Sequence, residues 1–145
     1  MRNKRNRKNG FTMVELVAVL IILGLLATVV VKSFTGQVDK ARVKTTKMSL
    51  KALHDAVLQF KLDTGQYPSE EDGLMALIEE PPDVIGWTPG GYLETTEVPK
   101  DAWGRDFIFQ LDPESGKPFV IMSYGADGES EGEDYNVDLL STDAN

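Results

Sequence analysis

The sequence predicts an α+β chain: one long N-terminal helix, its first part a membrane span, packed on a small antiparallel β-sheet. Three observations carry this prediction. Residues 11–31 form an apolar run interrupted only at Thr12, Glu15 and Thr28. Apolar residues then recur at three- and four-residue steps as far as Phe60, and no proline precedes Pro68. Beyond Pro68 the chain breaks into short segments punctuated by Gly, Pro and Asp, where strands and turns are expected.

Charge divides the chain in the same way. The 145 residues carry a net charge of −8, but residues 1–10 hold Arg2, Lys4, Arg5, Arg7 and Lys8 with no acid. Residues 127–143 hold Asp127, Glu129, Glu131, Glu133, Asp134, Asp138 and Asp143 with no base. An acidic folded part argues against nucleic-acid binding, which needs clustered Lys and Arg. A basic cluster beside an apolar span instead stays on the cytoplasmic side of a membrane. The chain has no cysteine and a single histidine, His54. Disulfides and thiolate metal sites are excluded, and a zinc centre or a Ser-His-Asp enzyme has no support. With no phosphate loop, cofactor motif or nucleophile–base pair, the chain does not read as an enzyme.

As a helix, the run 11–31 is about 30 Å long, the thickness of the hydrocarbon layer. A secretory signal has a shorter apolar core of about 7–15 residues and a small-residue cleavage site. Ala27-Thr28-Val29 is a poor match to such a site, and amphipathic helix continues past it. The run therefore reads as a retained span with residues 1–10 in the cytoplasm. Glu15 stands inside it, at a cost of about 2.5–3.5 kcal/mol if placed at the bilayer centre. Two readings of Glu15 stand. It reaches headgroup water near the cytoplasmic face, or it pairs with a specific cation. A cut after Gly10 would supply one, because Phe11 would then carry a free α-ammonium.

Past the span, Phe34, Val38, Ala41, Thr45, Met48, Ala52 and Ala56 continue the helical pattern, widened by Leu53, Val57 and Phe60. The expected helix runs from about Phe11 to Leu62, and Asp63-Thr64-Gly65 stops it. Residues beyond Lys40 should form core, and those before it intersubunit packing. A short second helix is expected from Pro68, with Ser69 as N-cap and Asp72 three residues on, ending at Pro81-Pro82. Residues 106–111 and 119–123 read as strands of a hairpin turning at Pro113-Glu114-Ser115-Gly116. The organisation is 1–10 leader, 11–31 membrane half of the helix, 32–64 amphipathic half, and 65–145 small globular region.

The acidic segment that follows the second strand is glycine-rich and dense in oxygen donors, which suits Ca²⁺. A solvated tail is the competing reading. Counting from Asp127 puts Asp127, Glu129, Glu131, Gly132 and Asp138 at positions 1, 3, 5, 6 and 12 of a helix–loop–helix calcium loop. Position 12 lacks its glutamate there, and a strand rather than a helix precedes the loop.

Lys8-Asn9-Gly10-Phe11-Thr12-Met13-Val14-Glu15 resembles the class III signal of type IV pilins and type II secretion pseudopilins. Thr64-Gly65-Gln66-Tyr67-Pro68, Gly73-Leu74 with Leu77, and Asp101-Ala102-Trp103-Gly104 resemble segments of the major pseudopilins, in which proline usually stands where this chain has Ala102. The absence of cysteine also favours a pseudopilin over many type IV pilins. Tyr124-Gly125-Ala126-Asp127-Gly128, followed by Asp138-Leu139, resembles the family's calcium loop. Its usual paired glycines are here reduced to Gly132, and the tryptophan often found after the last Asp is missing.

The resemblance implies a pilin-like fold, cleavage after Gly10 by prepilin peptidase, N-methylation of Phe11, and a part for Glu15 in subunit registration. It implies one calcium ion held by Asp127, Asp138 and the Tyr124 carbonyl, with Asp134 and Asn136 as additional candidates. It also implies a single-pass inner-membrane protein with a periplasmic domain. Its partners would be further copies of itself in a filament, prepilin peptidase, minor pseudopilins and the inner-membrane assembly platform. Two alternatives stay open: a type IV pilin of a surface fibre, and a monomeric membrane-tethered calcium module.

Overall fold

The computed structural model describes residues 10–111 and 116–143, with the side chains of 29–36 and 135 outside the description. Two compact units are present, Met1–Val38 and Asp39–Asn145. The boundary falls inside helix α1, Met13–Thr64, so the second unit takes the helix from Asp39 onward together with everything after it.

Local chemistry sets both ends of α1. The Thr12 Oγ1 accepts the Glu15 N–H at 3.2 Å, and the Thr12 carbonyl accepts the Leu16 N–H at 3.1 Å, so Thr12 is the N-cap. At the other end, Gly65 takes a left-handed φ of +79° and donates its N–H to the Lys61 carbonyl at 2.9 Å. That is a glycine stop within the expected Asp63-Thr64-Gly65, and the helix ends at Thr64, two residues beyond the expected Leu62.

In the first unit, Leu16, Val17, Ile22 and Leu26 lie on different sides of the helix, and each is at least half exposed. Among the described residues no helix is long and apolar enough to cross a membrane. The described side chains of the apolar run stop at Thr28, short of the about 20 residues a span requires. The predicted span thus extends into side chains outside the description, and the basic leader 1–9 lies wholly outside it.

In the second unit α1 buries Thr46, Leu50, Leu53, Ala56, Val57 and Phe60. The expected stripe was one position out of phase at its start. Thr45, Ala52 and Ala41 are exposed, as are Met48 and Val38; Phe34 lies among the undescribed side chains. The α1 core packs with Leu74, Ala76, Leu77, Phe107, Phe119, Ile121 and Leu139. His54 lies against the Phe119 ring at 4.8 Å, a packing histidine.

The predicted hairpin is present as β1, Ile108–Leu111, and β2, Phe119–Ser123, antiparallel with Phe109 opposite Ile121. Its turn lies outside the described residues except for Gly116. A third strand, β3, Leu139–Leu140, pairs with the other edge of β2. No sequence period marks it, because two residues are too short to show one. The expected second helix is only a 3-10 turn, Gly73–Leu77. Ser69 and Asp72 close a turn ahead of it, Asp72 N–H donating to Ser69 Oγ at 3.0 Å and that hydroxyl to Asp72 Oδ2 at 2.6 Å, but the 3-10 turn itself starts from Asp72 with no side-chain cap. Gly73 then adopts φ +53°, which an α-helix cannot pass through.

Candidate functional site

Two regions carry the predicted functional residues, and they belong to different units. In the first unit Gly10 precedes the helix and Phe11 is 82% exposed. Glu15 sits in the first turn of α1, where a carboxylate is favoured by the helix dipole. Its backbone N–H, not its carboxylate, makes the cap contact with Thr12. The carboxylate is exposed and remains available to a partner.

The second region is the loop between β2 and β3, seated on the turn formed by residues 101–105. Asp101 is 5% exposed. Its Oδ1 accepts the N–H groups of Trp103 at 3.0 Å and Arg105 at 2.8 Å. Its Oδ2 accepts the Ser123 hydroxyl at 2.7 Å, and Ser123 Oγ accepts the Gly125 N–H at 3.3 Å. Arg105 then reaches into the loop, donating to the carbonyls of Gly125 at 2.6 Å and Ala126 at 2.9 Å. A Cβ on Gly128 would stand 2.6 Å from Arg105 Nε, so that glycine is what lets the loop close over the guanidinium.

This arrangement sorts the predicted calcium ligands. The carbonyls of Gly125 and Ala126 each accept one hydrogen bond from the Arg105 guanidinium, whose positive charge disfavours a cation beside them. The Tyr124 carbonyl accepts the Gly128 N–H at 3.2 Å and keeps a second lone pair. Asp127 Oδ1 accepts the Glu129 N–H at 3.2 Å, leaving its other oxygen. Asp138 Oδ2 accepts the Glu131 N–H at 3.2 Å, while Asp138 Oδ1 is buried with no hydrogen-bond partner. A buried carboxylate oxygen without a partner is costly, and an oxygen-seeking cation would satisfy it. Asp134 and Asn136 are exposed in the 3-10 turn Asp134–Asn136. Among the described residues no three acidic or histidine side chains gather closely enough to hold a metal. The oxygens that hydrogen bonding leaves open, Asp138 Oδ1 above all, are of the type a hard cation takes, without a carboxylate cluster among the described residues.

Arg105, Ser123 and Thr46 are absent from the sequence-based expectations. Arg105 carried one signal: it and Lys117 are the only bases after Lys100, and it directly follows Asp101-Ala102-Trp103-Gly104.

A long helix laid on a three-stranded antiparallel sheet defines a pilin-like subunit, and comparison with known proteins narrows it. The family model for type II secretion system protein G matches residues 33–142, and the prokaryotic N-terminal methylation motif matches residues 5–31. The chain is 37% identical over 143 residues to the type II secretion system core protein G of Pseudomonas aeruginosa, covering 97% of this chain and 99% of that one. It is 35% identical over 138 residues to the core protein G of Vibrio cholerae, covering 94% and 92%. The crystal structure of the major pseudopilin of the type 2 secretion system from enterohaemorrhagic Escherichia coli superposes with a TM-score of 0.61 at 30% identity, covering 73% of this chain and 90% of that one. The chain belongs to the type II secretion system protein G family, the major pseudopilins. Its role is that of a structural subunit of the pseudopilus, not an enzyme.

Proposed function

We propose that this chain is inserted in the inner membrane with residues 1–10 in the cytoplasm and is cut after Gly10 by prepilin peptidase. Phe11 is methylated, and the chain polymerises into a periplasmic filament whose growth drives protein export across the outer membrane. The observation that carries this reading is the exposed Glu15 carboxylate in the first turn of a helix that is apolar on every side. Such a helix finds its solvent in lipid or in other helices. The charge finds its partner in the α-ammonium that cleavage creates on Phe11 of a neighbouring copy. Minor pseudopilins and an inner-membrane assembly platform are the further partners this reading requires.

One experiment tests it. The chain purified from membranes should have the intact mass of residues 11–145 plus one methyl group, and deletion of its gene should stop protein secretion while leaving the cell without any loss of surface fibres. An unprocessed N-terminus overturns the reading; loss of long surface fibres would instead favour the type IV pilin alternative.

We further propose that one Ca²⁺ closes the β2–β3 loop, held by Asp127, Asp138 and the Tyr124 carbonyl, with Asp134 and Asn136 able to complete the shell. The unpartnered Asp138 Oδ1 supports this. Bound calcium adds stability by mass action on the folded state, about 2.7 kcal/mol at a free concentration of 100 Kd. In a small region without disulfides that is a large share of the total. Chelator should therefore lower the melting temperature of the full chain in detergent by roughly 5–10 °C. Asp138→Asn should melt low and no longer respond to chelator. A chelator response unchanged by that substitution would place the ion elsewhere.

A further inference from the structure

Between Asp39 and Asp55, helix α1 carries four lysines that no ion pair among the described residues uses. Lys40, Lys44, Lys47 and Lys51 follow one another at steps of four, three and four residues, so they share one face of the helix. All four are exposed. Lys44, Lys47 and Lys51 each come one residue after the core-facing Val43, Thr46 and Leu50, which turns the lysine row about 100° from the core. The row is about 16 Å long. The ion pairs among the described residues are Asp39–Arg42 at 3.7 Å and Lys100–Asp106 at 3.1 Å; neither involves the row.

The same unit holds the complementary charge. With Asp127 and Asp138 assigned to the cation and Asp134 able to join them, Glu129, Glu131 and Glu133 remain in the β2–β3 loop, and all three are exposed. None of them pairs with a base among the described residues. Glu131 donates its backbone N–H to Asp138 Oδ2, and its exposed side chain takes no part in that bond. Among the described residues, the basic row and the acidic patch thus form no ion pair with each other.

We propose that the acidic loop of one copy docks on the Lys40, Lys44, Lys47 and Lys51 row of the next. This deepens the filament reading and rests on it. Two different patches on one chain that complement each other can serve a head-to-tail contact, and in the proposed filament repetition of that contact builds an open helix because the rotation does not close. A single exposed pair contributes little, but three acids set against a lysine row at every subunit also fix orientation and suppress wrong registers. Calcium and the lysines divide the loop between them: Asp127 and Asp138 serve the ion, and Glu129, Glu131 and Glu133 serve the neighbour. An anionic lipid surface is the other occupant such a row could have. The row points along the helix axis for longer than the about 8–10 Å over which salt lets charges act, so a headgroup layer at one end would leave its far lysines unused.

The test is a charge exchange in the full chain at fixed calcium, read as filament-bound protein. K44E/K47E and E131K/E133K are each expected to lower it about tenfold, and the two pairs combined to restore it to within about twofold of the parent. Because the chain has no cysteine, Lys47→Cys with Glu131→Cys should in addition give a disulfide-linked ladder in assembling membranes. Parent-like filaments from either charge variant, or no recovery in the combination, overturn the proposal. A lysine variant that is not rescued but has lost binding to phosphatidylglycerol vesicles assigns the row to lipid and overturns it too. If the parent chain forms no filaments, the filament reading and this proposal fall together; normal parent filaments with indifferent charge variants sink this proposal alone.

Discussion

Asp101→Ala is expected to cost about 3 kcal/mol and to lower the melting temperature of the full chain by about 10 °C, followed by circular dichroism in detergent. The size follows from what the carboxylate holds. Two backbone N–H groups, those of Trp103 and Arg105, and the Ser123 hydroxyl all donate to it at 2.7–3.0 Å. A methyl group leaves each donor without a partner in a site that is 5% exposed, and buried unsatisfied donors cost about 1–3 kcal/mol each before relaxation. Relief of the buried charge offsets part of this. Asp101→Asn keeps an oxygen for the two N–H groups, and Ser123 Oγ can accept from its amide, so it should cost about 1 kcal/mol. Equal losses in the two variants would mean that charge, not hydrogen-bond geometry, holds the turn. Asp101→Ala should also weaken the calcium response, because Arg105 is placed by its own N–H on Asp101 and in turn holds the carbonyls of Gly125 and Ala126.

The long helix is legible in the sequence because a three-to-four-residue period accumulates over dozens of positions. Its rotational phase is less so. Thr45 and Thr46 look alike locally, yet Thr46 is buried because its hydroxyl accepts the Ala102 N–H at 3.1 Å across 56 residues of sequence. That contact also accounts for the departure at position 102: a proline there has no N–H to give Thr46. Short elements are legible only when something local marks them. β1 and β2 show β-rich runs and turn residues, whereas β3 is specified by its pairing with β2, and the second helix is cut short by the backbone at Gly73.

The candidate site divides along the same line. Composition alone announces a loop rich in oxygen ligands. Which carbonyls are free to bind a cation depends on Arg105, about 20 residues earlier and brought beneath the loop only by the fold. The opposition of Lys40, Lys44, Lys47 and Lys51 to the acidic loop is present in the sequence as two charge runs. That the two runs form no ion pair with each other among the described residues is set by the fold, not by the sequence.

Glu15→Ala is expected to abolish filaments while leaving insertion, processing and the fold intact, and Glu15→Gln is expected to do the same. The structure makes this a clean test of charge. The cap at the start of α1 is the Thr12 Oγ1 accepting the residue-15 N–H at 3.2 Å, a contact every residue but proline keeps. Loss of the carboxylate forfeits only the favourable dipole contribution of about 0.3–1 kcal/mol. Insertion becomes easier rather than harder, since a charge costs about 2.5–3.5 kcal/mol at the bilayer centre. What is lost is the ammonium–carboxylate pair between neighbours. If that pair contributes about 2 kcal/mol in lipid, each addition step weakens roughly 30-fold, and a filament multiplies the loss at every subunit. The check is electron microscopy of sheared filaments beside intact mass and membrane fractionation of the same cells. Normal filaments from Glu15→Gln would show that the polar side chain, not its charge, sets the register, and normal filaments from Glu15→Ala would remove Glu15 from assembly altogether. Because the pair needs a free α-ammonium, a Gly10 variant that blocks cleavage should reproduce the Glu15→Ala phenotype, and combining the two should add nothing.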